Sequence, residues 1–133
     1  MIDSTIQRLI ERTIDSPLKL QLLLLFCEHQ NYTGTPSQIG QRAYRDIWST
    51  REALRELAED GVLMIQHSNA GEPIYCYHPL PELADSINKL YVLYNEPIER
   101  DDLQRLVRDA ASYAPYRRAR SGGFEQERYS YAF

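Results

Sequence analysis

A chain of 133 residues is long enough for one real core and short for two ordinary domains, and its 43% apolar residues match a soluble globular protein. The formal net charge of −4 excludes bulk attraction to nucleic acid, so any basic footprint must be local. Two cysteines, Cys27 and Cys76, are too few for a disulfide framework and fit the reduced thiols of a cytoplasmic protein. No signal-peptide pattern opens the chain, and no apolar run can span a membrane: Leu20 to Phe26 is interrupted by Gln21 and flanked by Lys19 and Glu28.

From Ser4 to Ile14, the residues Ile6, Leu9, Ile10 and Ile14 share one stripe, with Gln7, Arg8, Glu11 and Arg12 facing away. This predicts a short amphipathic helix, suited equally to a dimer seam and to folding back on its own domain. Ser16-Pro17 starts a second helix, because serine caps the first free N–H groups and proline costs nothing at the first helical position. Leu18, Leu20 and Leu22 to Phe26 make that helix apolar around most of its circumference, which places it at the centre of the core. Glu28 to Thr35 reads as a loop. Thr35-Pro36-Ser37-Gln38 repeats the cap-then-proline start and opens a short helix with Ile39 and Ala43 inward and Gln38, Gln41 and Arg42 outward.

Tyr44-Arg45 turns into a helix capped in front by Asp46 and ended by Gly61, with Ile47, Thr50, Leu54, Leu57 and Ala58 on its apolar face. Val62 to Ile65 continues as a strand. A turn containing Asn69 and Gly71 joins Met64–His67 to Pro73–His78, which predicts a hairpin. Pro79-Leu80-Pro81 breaks it and begins a helix carrying Leu83, Ile87, Leu90, Tyr91 and Tyr94 at three- and four-residue spacing. From Glu99 a further helix places Leu103, Leu106, Val107, Ala110 and Ala111 on one side. Two narrow stripes with little core of their own need a covering surface, so dimerisation is the expectation and packing on the leucine-rich helix the alternative. Beyond Pro115, low periodicity and Gly122-Gly123 predict an extended arm. Its arginines suit phosphate or solvent, and Tyr129, Tyr131 and Phe133 suit packing on something.

Two capped helices, one short turn and a following hairpin make a helix-turn-helix with a wing. The run Ser16 to His78 resembles the winged-helix domain of bacterial transcription regulators of the broad ArsR/MarR/PadR-like group, most closely over Arg51-Glu52-Ala53-Leu54-Arg55-Glu56-Leu57-Ala58-Glu59-Asp60-Gly61-Val62-Leu63. The resemblance covers about half of the chain. It implies that the second helix of the motif enters the DNA major groove, making Trp48, Ser49, Arg51, Glu52 and Arg55 groove readers. Ser37, Gln38, Gln41, Arg42 and Arg45 would lie on or near phosphates, and His67, Ser68 and Asn69 at the wing. It also implies that the helices outside the motif build a homodimer.

The module departs from the group's usual chemistry by being net acidic: Lys19, Arg42, Arg45, Arg51 and Arg55 stand against Glu28, Asp46, Glu52, Glu56, Glu59, Asp60 and Glu72. Roughly three to five usable arginines support only a modest salt slope for one copy. Ile47 and Trp48 open the reading helix where small polar residues are commoner. The expectation is that Ile47 packs under the preceding turn and Trp48 lies in the core across the first helix. An exposed apolar anchor for a protein or a thymine methyl is the alternative. Cys27-Glu28-His29 and Cys76-Tyr77-His78 repeat Cys-x-His, but on a helix the first pair diverges, so no zinc site, cofactor or catalytic set is read.

The sequence therefore specifies a mostly α fold with a small β-hairpin wing: a winged helix-turn-helix over residues 16–79, an N-terminal amphipathic helix over 1–15, C-terminal helices over 80–114 and a tail over 115–133. The expected function is sequence-specific binding of double-stranded DNA as a dimeric transcriptional regulator rather than an enzyme. Arg51, Arg55 and Ser49 would read bases, and Arg42, Arg45 and Gln41 would hold phosphates. The rival is a protein-interaction module working through Ile47, Trp48 and the acidic residues. An unidentified small-molecule effector in a Tyr-lined pocket between the winged module and the C-terminal helices is compatible with the first.

Overall fold

A computed structural model describes the backbone of residues 2–66 and 71–132 and the side chains of 2–66 and 71–119. The elements run α1 (Ser4–Arg12), α2 (Pro17–Glu28), β1 (Thr33–Gly34), α3 (Pro36–Ala43), α4 (Ile47–Glu59), β2 (Leu63–Gln66), β3 (Ile74–Tyr77), α5 (Pro81–Tyr94) and α6 (Pro97–Ala132). The fold is mostly helical with a small antiparallel sheet ordered β1-β3-β2, an architecture compatible with a winged helix.

Helices α1 to α4 begin where side chains satisfy their first N–H groups. Asp3 accepts from Ile6 N at 3.0 Å, Ser16 from Lys19 N at 3.1 Å and Asp46 from Ser49 N at 2.8 Å. Thr35 and Gln38 form a reciprocal capping box at 3.3 and 3.0 Å. The end of α4 is a Schellman turn: Val62 N donates to Leu57 O at 2.9 Å and Gly61 N to Ala58 O at 3.2 Å, with Gly61 at φ +91°. A Cβ on Gly61 would lie 2.3 Å from Leu80 Cδ1, so both the backbone and the crossing chain demand glycine.

α2 is the centre of the core. Its Leu20, Leu22, Leu23 and Phe26 join Ile6, Leu9, Ile10, Ile14, Ile39, Leu54, Leu57, Ile87, Leu90, Leu103 and Val107 in one buried cluster. α1 packs on α5 and α6, so its stripe folds back on the same chain. The central residues of the α5 and α6 stripes are likewise covered within one chain. The leucine-rich core supplies the surface that these central residues need.

The stretch read as a loop contains β1, which pairs Thr33 with Cys76 and Gly34 with Tyr75. β2 pairs with β3 through Leu63↔Tyr77 and Ile65↔Tyr75. The expected wing positions His67, Ser68 and Asn69 lie outside the described residues. The backbone remains helical from Pro97 to Ala132, so the expected extended arm after Pro115 is corrected to a continuation of α6. Proline inside a helix forfeits a hydrogen bond. Helical continuation nevertheless carries Arg117 and Arg118 to Asp15, an anchor that no local pattern announces.

Candidate nucleic-acid interface

The turn between α3 and α4 sets the geometry of the site. Arg45 N donates to Gly40 O at 2.9 Å and Tyr44 N to Gln41 O at 3.3 Å, while Tyr44 holds a left-handed conformation at φ 56° and ψ 44°. A non-glycine residue there costs roughly 1–2 kcal/mol, and the Tyr44 side chain is 94% exposed. The two helices approach closely below it: a Cβ on Gly40 would meet Thr50 Oγ1 and Arg45 O at 3.3 Å. Buried Thr50 donates to Asp46 O at 2.8 Å, fixing the first turn of α4.

Trp48 is 73% exposed, which overturns its expected place in the core. At about 100° per residue it lies about 160° from Thr50, around which buried Ala53, Leu54 and Leu57 gather. Ile47 is half-buried, as its angle near that face requires. Ser49, Arg51 and Glu52 are exposed beside Trp48, so the N-terminal flank of α4 is uncovered.

The arginines on this flank are already engaged. The Arg51 guanidinium lies 5.4 Å from the centroid of the Trp48 ring and 3.5 Å from Glu72, which also accepts from Ser37 Oγ at 3.0 Å. Arg55 is paired with Glu52 and, at 2.6 Å, with Glu59. Ser37, Arg51 and Glu72 thus join α3, α4 and the approach to β3. The carboxyl of Asp46 is held below its ordinary value, chiefly by the Ser49 N–H.

Arg42 and Arg45 do not join that set. Arg42 lies 4.8 Å over the Tyr32 ring, and Arg45 Nε donates to Gln21 Oε1 at 3.0 Å. Both line a cleft between α2, α3 and α6. The four arginines that sequence spacing groups together therefore divide into a pair on the outer face of α4 and a pair towards the cleft. Gln38 is occupied by the capping box, while Gln41 is exposed on α3.

Sequence reasoning missed a cluster of charges at the other end of α4. Asp15 and Lys19, 1% and 3% exposed, pair at 2.6 Å, and Lys19 reaches Glu56 at 2.5 Å. From α6, Arg118 meets Asp15 at 2.9 Å and Asp60 at 2.8 Å, with Arg117 also on Asp15. Burial pushes the Asp15 carboxyl up, but hydrogen bonds from Lys19 and Arg118 outweigh it and hold the group below its ordinary value. Asp60 goes the other way, since burial outweighs Arg118 and raises it. A lysine in an apolar helix, four residues after an aspartate, was the available signal.

The Cys-x-His pairs remain apart. Cys27 Sγ contacts Tyr77 OH at 4.0 Å, and burial pushes its thiol up to about 11, far from a reactive thiolate. Among the described residues no group of three or more His, Cys, Asp or Glu gathers as metal ligands would, and no helix is long and apolar enough to cross a membrane.

No family model matches this sequence, and no curated protein matches it. Among solved structures, the chain is similar to a protein from Methanosarcina mazei Go1 described as a possible transcriptional regulator. The two are 13% identical with a TM-score of 0.46, over 65% of this chain and 75% of that one.

Proposed function

We propose that this chain is a winged-helix transcriptional regulator that binds duplex DNA through the outer face of α4, and that it works by binding rather than catalysis. The observation that carries the reading is the uncovered flank of α4, where Trp48, Ser49, Arg51 and Glu52 stand in solvent behind a tight α3–α4 turn and beside a hairpin. α6 grips α4 by its C-terminal residues Glu56 and Asp60 and leaves that flank open. In this reading Arg51 and Arg55 face base edges, Ser49 adds a hydroxyl, and Trp48 offers apolar contact to a thymine methyl. Arg42 and Arg45 add phosphate contacts at the edge. A dimer would double these contacts, and its interface would draw on apolar side chains that remain exposed, including Val92, Ile98, Tyr113 and Tyr116.

The test is a gel shift on the DNA upstream of the chain's own coding region, titrated against salt. Specific retention that weakens with a log–log slope of about −2 to −4 per copy, and is lost in Arg51→Ala, supports the reading.

A second reading is favoured by one specific observation: Arg51 and Arg55 are both paired with carboxylates, while Trp48 and Tyr44 are the most exposed aromatics of the helix pair. Such a surface suits a protein partner, with aromatic anchors carrying the affinity. Binding to a protein that barely responds to salt and is lost in Trp48→Ala would replace the DNA reading.

A further inference from the structure

Tyr44 stands at the apex of the α3–α4 turn and, among the described residues, is the only one other than glycine with a positive φ. The turn needs that left-handed conformation, which lets Arg45 N reach Gly40 O at 2.9 Å. Glycine would adopt it freely, whereas tyrosine carries a steric cost. The Tyr44 ring is almost wholly exposed, so no contact within the chain offsets that cost. A strained residue without internal compensation points to a contact outside the chain. Trp48, the only tryptophan of the sequence, lies on the other side of the Asp46 cap, exposed and with the Arg51 guanidinium 5.4 Å from its ring centroid. From Gln41 to Glu52 no aliphatic side chain is exposed, since Ala43 is buried and Ile47 half-buried. The carboxylates beside the two rings are already engaged, Asp46 by Ser49 N–H at 2.8 Å and Glu52 by Arg55. Flat π-faces among cations and donors match a nucleobase flanked by phosphates better than a peptide, whose anchors sit in apolar pockets.

We propose that Tyr44 and Trp48 form a stacking wedge that enters duplex DNA at an unstacked base step, so that a duplex with a bulged or easily unstacked base is bound in preference to a continuous one; this deepens, and rests on, the DNA reading above. The flank of a helix is convex and offers no channel along which a free strand could run, which makes a duplex the occupant. The two rings bracket the start of α4, so they meet the base stack together while Ser49 and Arg51 lie along the groove. An apolar wedge must first unstack the step that it enters, and that cost is least where a base is already unpaired. A base laid on Trp48 completes a stack of guanidinium, indole and nucleobase.

The test titrates the full chain against three probes taken from the DNA upstream of its own coding region: a continuous duplex, the same duplex with one unpaired thymine, and the single strand. Selectively excited tryptophan fluorescence reports on Trp48 alone. The bulged duplex should bind at least about fivefold more tightly than either other probe and quench Trp48 more deeply at saturation. Tyr44→Gly should lose about three- to tenfold of that preference without lowering the thermal midpoint, since glycine suits the left-handed turn. Trp48→Leu, which keeps apolar bulk without a π-face, should abolish the preference when binding is followed by the anisotropy of labelled DNA. Equal affinity and equal quenching for the two duplexes, or a preference that survives in either variant, would overturn the wedge and leave the DNA reading standing. Tightest binding of the single strand would overturn the wedge as a duplex device. Retention of none of the three probes would overturn the wedge and the DNA reading together.

Discussion

On the proposed DNA reading, Glu72→Gln should tighten DNA binding. The Glu72 carboxylate lies 3.5 Å from Arg51 Nη2, with the two side chains 39% and 47% exposed. Two unit charges at that separation attract by about 1.2 kcal/mol in bulk water. For half-exposed groups in salt the net value falls to about 0.2–1 kcal/mol. Freeing Arg51 and removing a negative charge that faces phosphate should therefore raise affinity about two- to fivefold. One added cation should also steepen the slope of log K against log salt by about 0.9. The amide keeps an acceptor for Ser37 Oγ, so the local structure is preserved. Fluorescence anisotropy at several salt concentrations, on the wild type, Glu72→Gln, Arg51→Ala and the double variant, measures each quantity. A gain that persists with Arg51 absent would show direct repulsion between Glu72 and phosphate rather than masking. An unchanged slope, or weaker binding by Glu72→Gln, would refute the argument.

Trp48→Ala should leave stability within about 0.5 kcal/mol, since an exposed side chain supports no core, yet cost at least about tenfold in affinity for the partner; thermal melts and anisotropy separate the two effects. Asp15→Asn should destabilise by about 1.5–3 kcal/mol in urea unfolding, because buried Lys19 and half-buried Arg118 lose their shared carboxylate but keep Glu56 and Asp60. With its folded pKa below 3.8, Asp15 contributes stability fully present above that pH and lost as pH falls through the lower folded value, so Asp15→Asn should flatten the acid limb of a stability–pH curve. Asp60 has a raised folded pKa, so its burden appears as pH rises above 3.8, and Asp60→Asn should be near neutral or slightly stabilising at pH 7. Gly61→Ala should cost about 2–3 kcal/mol in the same assay, from its positive φ and the displacement of Leu80.

Much of the fold is legible where the signal is local. Ser16, Thr35 and Asp46 cap the helices that follow them, and Gly61 ends α4, because capping depends on neighbours within a few residues. β1 escapes detection because two residues carry no period, and its pairing with β3 spans the whole α3–α4 unit. Trp48 illustrates a different failure: the helical angle from Thr50 already places it outward, and a general preference for burying large aromatics obscured that geometry. The division of the arginines was not legible, since Gln21 and Tyr32, which hold Arg45 and Arg42, lie on α2 and in the loop before β1. Nor was the shared partner of Arg117 and Arg118, Asp15, which lies more than a hundred residues earlier.

The acidity of the chain acquires a structural meaning from these pairs. Glu56, Glu59 and Asp60 crowd the C-terminal end of α4, where the helix dipole already disfavours negative charge. Lys19 from α2 and Arg118 from α6 meet Glu56 and Asp60 there, while Arg55 from the helix itself meets Glu59. Three cations are thereby spent on internal neutralisation, and two of them also bind α4 to helices outside the α3–α4 unit. The orientation of α4 consequently depends on residues that face away from its exposed flank, so on the proposed reading substitutions at Asp15 or Arg118 should alter DNA binding without touching DNA. That dependence distinguishes this cluster from an ordinary surface ion pair, whose removal would leave the presentation of Trp48 and Arg51 unchanged.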